Sequence, residues 1–416
     1  MADTAGDTGK CVPHTGSRVK ELALRSSVLD RNSREHVLPV AATTALKLDC
    51  VPALHWRSGG IRSGTGPRSM PVETRASAAA AAKADAATPG SAGEKAVTGG
   101  GLGSLTILFA AWYVFNAYYN ISNKVVVRTW AFPYTCAFLQ TAIGLVYLIP
   151  VWATGMEKVP KLEKEDFIKL LPISLLHAGG HLAAVLSMSA GAVSFTHIIK
   201  ASEPVASTII GPFFGVEPQP LSVNIFLLPI VGGVAFAAMK PGQGLDISQL
   251  TSMASAYAMS SNVSFAIRGI LSKQVMTPDF KQAKNMSASN TYGVLTIMSA
   301  VLLILPMLLF EGVASPKNAF DSVRNKTALL KNLLGCGLSY YLYNEMGFRV
   351  LNRLDPVSAA VGNTIKRVVI MAAAVFFLGE AMNTNKLVGA CVAVAGTLAY
   401  SLAKNSAAEA AKVKKA

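Results

Sequence analysis

Charged side chains are scarce in this chain of 416 residues: they make up 15% of it, where a water-soluble domain carries about a quarter. Acids are the scarcer sign, 23 Asp and Glu against 38 Lys and Arg, which leaves a formal net charge of +15. That excess raises the question of nucleic acid. There is, however, no run of Lys and Arg with interleaved aromatics, and the basic residues flank apolar segments instead, so nucleic-acid binding is set aside. Cysteine is sparse too. The five, at 11, 50, 136, 336 and 391, have no CxxC spacing, and three of them sit inside apolar runs, which argues against a disulfide framework and for packing residues. The Gly99-Gly100-Gly101-Leu102-Gly103 stretch has no preceding strand and no Lys-Ser/Thr pair, as a phosphate loop would. Ser, Thr and His are scattered without a triad or a nucleophile elbow, so neither an enzyme nor a cofactor is expected.

What is abundant is apolar surface. Hydrophobic residues make up 51% of the chain and its mean hydropathy is +0.41, so the lipid membrane is its first expected partner. Apolar runs near the roughly 20 residues that cross a hydrocarbon core as helix recur after Gly103. Ten are expected, at about 104–126, 130–153, 168–189, 193–214, 221–240, 248–274, 291–311, 328–352, 355–378 and 386–404. Arg268, Glu345, Lys366 and Arg367 interrupt the sixth, eighth and ninth. The stretch from Glu157 to Asp166 and that from Asp279 to Asn290 read as solvated loops.

Residues 1–100 hold no such run, and from Arg57 onward they are dominated by Ala, Ser, Gly and Arg, a composition that cannot bury a core. A disordered leader resembling a plastid transit peptide is expected there, with processing near Val72 to Ser77, although Asp3, Asp7, Glu21, Asp30, Glu35 and Asp49 make it more acidic than such leaders usually are. Residues 101–404 form the expected membrane domain, and 405–416 a basic tail.

The domain repeats itself. Val193-Ser194-Phe195, Phe213-Phe214-Gly215-Val216-Glu217 and Gly232-Gly233 return about 163 residues later as Val357-Ser358-Ala359, Phe376-Phe377-Leu378-Gly379-Glu380 and Gly396. Two units of five helices, about 104–240 and 248–404, follow from this echo. An odd number of crossings inverts the second unit relative to the first. The fold class predicted is thus an all-α membrane protein of ten helices in two inverted repeats, an arrangement that places a substrate site between the repeats near the midplane.

A lysine at the centre of a bilayer costs about 2.5–3.5 kcal/mol on insertion scales, so it is tolerated where it faces a cavity or a partner. Lys200 stands in the fourth run, Lys366 and Arg367 in the ninth, at nearly equivalent places in the two repeats. Three cations around one cavity suit a multiply charged anion, and a phosphate monoester is one. Alternatively Lys200 pairs with Glu203, and Lys366 or Arg367 with Glu345. Tyr343 supplies a hydroxyl at membrane depth, or packs as an aromatic. Arg268, one turn after Phe265, steers anions at a vestibule or snorkels to the interface. His177 and His181 are four apart, but no HExxH pattern or nearby carboxylate makes them a zinc site. Each bonds a substrate or a backbone carbonyl.

Ser194-Phe195-Thr196-His197-Ile198-Ile199-Lys200-Ala201-Ser202-Glu203-Pro204, Tyr341-Leu342-Tyr343-Asn344-Glu345 and Gly362-Asn363-Thr364-Ile365-Lys366-Arg367, with Asn116, Asn120 to Lys124 and Phe132-Pro133-Tyr134, resemble the plastid phosphate translocators of the drug/metabolite transporter superfamily over about residues 104–404. Carriers of nucleotide sugars in the secretory pathway usually lack the dibasic pair. The resemblance implies ten helices in two inverted repeats, a plastid inner-envelope location, and strict exchange of inorganic phosphate for a phosphorylated sugar or three-carbon phosphate. It puts the family's phosphate-binding lysine on Lys200, the dibasic pair on Lys366 and Arg367, the tyrosine on Tyr343, the histidine of the third helix on His181 and the aromatic of the sixth on Phe265. Two departures stand out. Tyr341 and Glu345 replace the His and Gln of many members, adding an acid close to the expected site, and Ala184 stands where triose-phosphate carriers offer a hydroxyl. The alanine is closest to the glucose 6-phosphate branch, with triose phosphate or 3-phosphoglycerate next and phosphoenolpyruvate third. A secretory nucleotide-sugar carrier and a non-transporting membrane scaffold are the rival readings.

Overall fold

The computed structural model describes residues 102–240, 244–245 and 247–413; the expected leader lies outside them. Each of the ten apolar runs falls on helix. The first three are α1 (Leu102–Thr129), α2 (Pro133–Ala153) and α3 (Lys164–Ala190). The fourth is broken into α4 (Val193–Lys200), α5 (Glu203–Ile210) and a 3-10 turn, Gly211–Phe214. The fifth divides into α6 (Leu221–Asn224) and α7 (Leu227–Ala237). After the short α8 (Ile247–Leu250) come α9 (Met253–Val275), α10 (Pro278–Ala283), α11 (Ala288–Phe310), α12 (Ala314–Ser322), α13 (Lys326–Leu351), α14 (Pro356–Leu378) and α15 (Thr384–Val413).

Four expectations change. The stretch from Asp279 to Asn290, expected as a solvated loop, holds most of α10 and the start of α11. A two-residue antiparallel pair, Met239–Lys240 against Gly244–Leu245, qualifies the all-α reading. Helix α15 runs on to Val413, into the segment expected as a basic tail. The loop before α3 ends early, because Glu163 and Asp166 form a reciprocal capping box that starts the helix at Lys164. Lys284 then bridges Glu163 and Asp166 at 3.0 and 2.9 Å, and the hydrogen bonds to Asp166 and Glu163 raise its ammonium above the ordinary lysine value.

Local chemistry explains where the other helices begin and end. Ser252, Thr277, Ser287 and Asn325 each accept the amide three residues on, and Pro133, Pro278 and Pro356 supply a pre-set φ in the first turn. Gly215 and Gly379, at φ of 76 and 64°, end the fourth run and α14 in the left-handed conformation.

Among the described residues five helices, α2, α3, α11, α14 and α15, are long and apolar enough to cross a membrane. Helices α1, α9 and α13 have the length but carry polar residues that are buried inside the bundle, such as Asn116, Asn120, Ser261, Asn262 and Glu345. The outer faces of α2, α11, α14 and the 3-10 turn are greasy. Val146, Ile149, Leu305, Leu309, Phe213 and Phe376 are exposed. Polar inside and apolar outside is the distribution a lipid solvent selects.

Helix α1 packs along α13, α3 along α9, and α7 along α15. The last contact is backbone to backbone: a Cβ on Gly233 would lie 2.5 Å from Ala393 N, and one on Gly389 2.5 Å from Ala237 N. Small residues permit such approach between membrane helices. Cys136 and Cys336 are buried packing residues as expected, whereas Cys391 is exposed; all three are free thiols.

Candidate functional site

The helices enclose a cavity of about 560 Å³, lined from α1, α3, α4, α5, α9, α13, α14 and α15. That volume suits a small-molecule ligand, for which roughly 300–1,000 Å³ is usual. All seven residues singled out in the sequence line it: Lys200, Lys366, Arg367, Tyr343, His181, Phe265 and Arg268.

Lys200 ends α4, where the fourth run breaks. Its Nζ donates to Ser261 Oγ at 2.7 Å and lies 4.9 Å from the centre of the Phe265 ring. The Ser261 hydroxyl donates its own hydrogen bond to Gly180 O at 2.8 Å, which leaves its oxygen lone pairs for the ammonium. The Arg268 guanidinium lies 5.0 Å from the same ring, so one aromatic supports two cations. Arg268 NH1 also reaches His177 Nδ1 at 2.9 Å. Because guanidinium can only donate, that nitrogen is the unprotonated one. Arg268 therefore turns inward, and the snorkelling alternative is excluded.

On the facing side, Lys366 Nζ donates to Asn363 Oδ1 at 3.1 Å and lies 4.8 Å from the Trp112 ring. Arg367 NH2 donates to Glu203 Oε2 at 3.0 Å. His181 stacks on Tyr340 with ring centres 4.0 Å apart, and Tyr343 packs against Tyr119 at 5.3 Å.

Two expected pairings are corrected. Glu203 bonds Arg367 rather than Lys200, because the break at Ala201 and Ser202 separates α4 from α5 and the i,i+3 register is lost. Glu345 is absent from the lining: one residue, about 100° round the helix, separates it from Asn344, and it is buried against Ser289 and Arg349, with Arg349 NH2 at 2.6 Å. It does not trim the charge of the cavity. Among the described residues the lining holds six cations, Lys200, Arg268, Lys273, Lys366, Arg367 and Lys404, against the single carboxylate of Glu203.

Trp112 and Ser261 are parts of the site that residue-by-residue reading missed. Trp112, Asn116 and Asn120 recur every four residues and share one helix face, a signal open to a search for periodicity. Ser261 offered none, since its partner comes from another helix.

A model described as the Triose-phosphate Transporter family matches residues 103–401. Over 302 residues the chain is 35% identical to glucose-6-phosphate/phosphate translocator 2, chloroplastic, of Arabidopsis thaliana, covering 72% of this chain and 74% of that one. It is 35% identical over 349 residues to phosphoenolpyruvate/phosphate translocator 1, chloroplastic, of Oryza sativa subsp. japonica, covering 82% and 83%. With the triose phosphate/phosphate translocator, chloroplastic, of Flaveria trinervia it shares 33% over 299 residues, covering 71% and 70%. Three relatives named for different substrates are thus nearly equidistant.

Proposed function

The chain belongs to the Triose-phosphate Transporter family, and from that premise we propose that it is an antiporter of the plastid inner envelope that exchanges inorganic phosphate for a phosphorylated metabolite. The observation that carries this reading is the charge of the cavity: Lys200, Arg268, Lys366 and Arg367 line it, and among the described residues Glu203 is the one carboxylate of the lining. Arg367 is held by that carboxylate, while Lys200 and Lys366 are met by neutral oxygens and aromatic rings. Lys200, Lys366 and Arg367 hold the phosphoryl group, Lys as point charges and Arg through paired donors. Tyr343, His181, Arg268 and Phe265 line the space left for the rest of the substrate.

Transport is by alternating access between two inverted repeats of five helices that together cross the membrane ten times. The packing supports this, because α1 on α13 and α3 on α9 are equivalent contacts exchanged between the repeats. Residues 1–100 supply the plastid address. A hexose phosphate is the favoured partner of phosphate, on the ground that Ala184 faces the cavity and adds room without a hydroxyl.

Counter-exchange of labelled phosphate in liposomes, against hexose, triose and pentose phosphates, phosphoenolpyruvate and nucleotide sugars, tests the reading. Exchange with glucose 6-phosphate above the others is the expected result. Preference for a three-carbon phosphate would overturn the hexose assignment, and exchange of nucleotide sugars alone would overturn the phosphate site.

A further inference from the structure

Four carboxylates follow the ends of equivalent helices; two of them cap the start of another helix and a third bonds the N-cap hydroxyl of one. Glu311, after α11, accepts from Tyr134 N at 3.0 Å and from Thr135 N at 2.7 Å at the start of α2. In return Glu157, after α2, accepts from Ser287 Oγ, the N-cap of α11, at 2.5 Å. That pair of ends is tied on both sides at once. For α4 and α14 the tie exists on one side only. Glu380, after α14, takes Val193 N at 2.7 Å and Ser194 N at 2.8 Å. Glu217 occupies the matching place in Phe213-Phe214-Gly215-Val216-Glu217, and it is exposed, with no hydrogen bond or ion pair on its carboxylate among the described residues. The amides that correspond to those of Val193 and Ser194 belong to Val357 and Ser358. They are held instead by their own N-cap, Asp355 Oδ1, at 3.0 Å each.

The position of the cavity agrees with this asymmetry. Its lining extends to Leu351, Pro356, Lys404 and Asn405, at the end where α14 starts and α15 finishes. Glu217 lines a small hollow that shares Ser207, Tyr400 and Lys404 with it. The opposite end is tied by Glu380 and by Lys124, whose Nζ donates to Met188 O and Gly191 O at 2.6 Å each.

Resting on the alternating-access reading, we propose that Glu217 is the second gate carboxylate: when the cavity turns to the other side, Glu217 takes the amides of Val357 and Ser358 and Glu380 releases those of Val193 and Ser194. A helix start presents unpaired N–H groups and the positive end of its dipole, so a carboxylate arriving there forms charge-assisted bonds. The two gates are unequal for a reason visible in the chain. Three residues before Ser358 stands Asp355, which caps α14 while its gate is open; three residues before Ser194 stands Gly191, which has no side chain to do the same for α4. Opening the Glu380 gate leaves amides without a local substitute, and closing the Glu217 gate must displace Asp355. Both effects bias the carrier toward the arrangement described here.

Disulfide formation in liposome-embedded protein tests the proposal independently of transport. Cys11, Cys50 and Cys391 are replaced by Ser, and the pair Glu217→Cys with Ser358→Cys is compared with Glu380→Cys with Ser194→Cys under copper-phenanthroline oxidation. Both pairs are expected to cross-link, and inorganic phosphate is expected to accelerate the Glu217 pair several-fold by promoting the turn. A Glu217 pair that stays reduced while the Glu380 pair closes would overturn the gate. In the otherwise unaltered protein, Glu217→Gln is expected to slow phosphate exchange about tenfold with phosphate affinity unchanged, and Glu217→Asp to recover part of the rate. Wild-type rates in Glu217→Gln would equally overturn it. A wild-type protein that exchanges no phosphate sinks the antiport reading instead, and the cross-linking result still decides for or against Glu217.

Discussion

Glu203 accepts from Arg367 at 3.0 Å across a break in the fourth apolar run, joining residues 164 positions apart. The contact neutralises one cation of the cavity and ties the start of α5 to the middle of α14. Glu203→Gln is expected to free Arg367 for the substrate, tightening phosphate binding by about tenfold, which is about 1.4 kcal/mol, and slowing exchange because the anion leaves more reluctantly. Equilibrium binding and counter-exchange on the same preparation check both halves; weaker binding would show that Glu203 serves to orient Arg367.

Lys200→Ala, Lys366→Ala and Arg367→Ala each remove a charged donor. A lost hydrogen bond to a charged group costs roughly 1.5–3 kcal/mol, or about 10- to 150-fold in affinity. Tyr343→Phe is expected to cost less, since its ring contacts with Tyr119 and Tyr340 remain. Labelled-phosphate binding to purified protein measures the series, and full affinity in Lys366→Ala would move the site elsewhere.

The charge of the empty cavity predicts obligate exchange. Closing over Lys200 and Lys366, which are met by neutral oxygens and aromatic rings and not by a carboxylate, takes them out of water at a cost of several kcal/mol, and each 1.4 kcal/mol slows the step about tenfold. Bound phosphate cancels that excess and so favours closure only when present. Efflux of labelled phosphate from liposomes is expected to be slow into plain buffer and fast into buffer containing a phosphorylated substrate. Equal rates would mean that the empty carrier turns freely.

Gly233→Ala is expected to destabilise the α7–α15 contact, because the added methyl would meet backbone atoms of Ala393 and Gly389 within 2.7 Å and backbone cannot swing aside. Gly232→Ala, whose added methyl meets nothing within 4 Å, is the matched control. Thermal unfolding in detergent separates them: a midpoint several degrees lower for Gly233→Ala and unchanged for Gly232→Ala is expected.

The sequence by itself determined the membrane class, the places of the long helices and four of the six cations of the cavity, Lys200, Arg268, Lys366 and Arg367. These follow from local properties: the length of apolar runs, proline and capping residues, and the cost of a charge at membrane depth, which leaves Lys200, Lys366 and Arg367 few positions other than facing a cavity. The echo of one half in the other was also legible, since it is a comparison of the chain with itself. Which carboxylate meets which cation was decided only by the tertiary structure. A break of two residues after Lys200 moved Glu203 from Lys200 to Arg367, and a rotation of one residue on α13 took Glu345 out of the cavity to Arg349 and Ser289. Pairings of that kind depend on helix phase and on neighbours far along the chain, as do Ser261 beneath Lys200 and Trp112 beside Lys366, and a linear pattern carries neither.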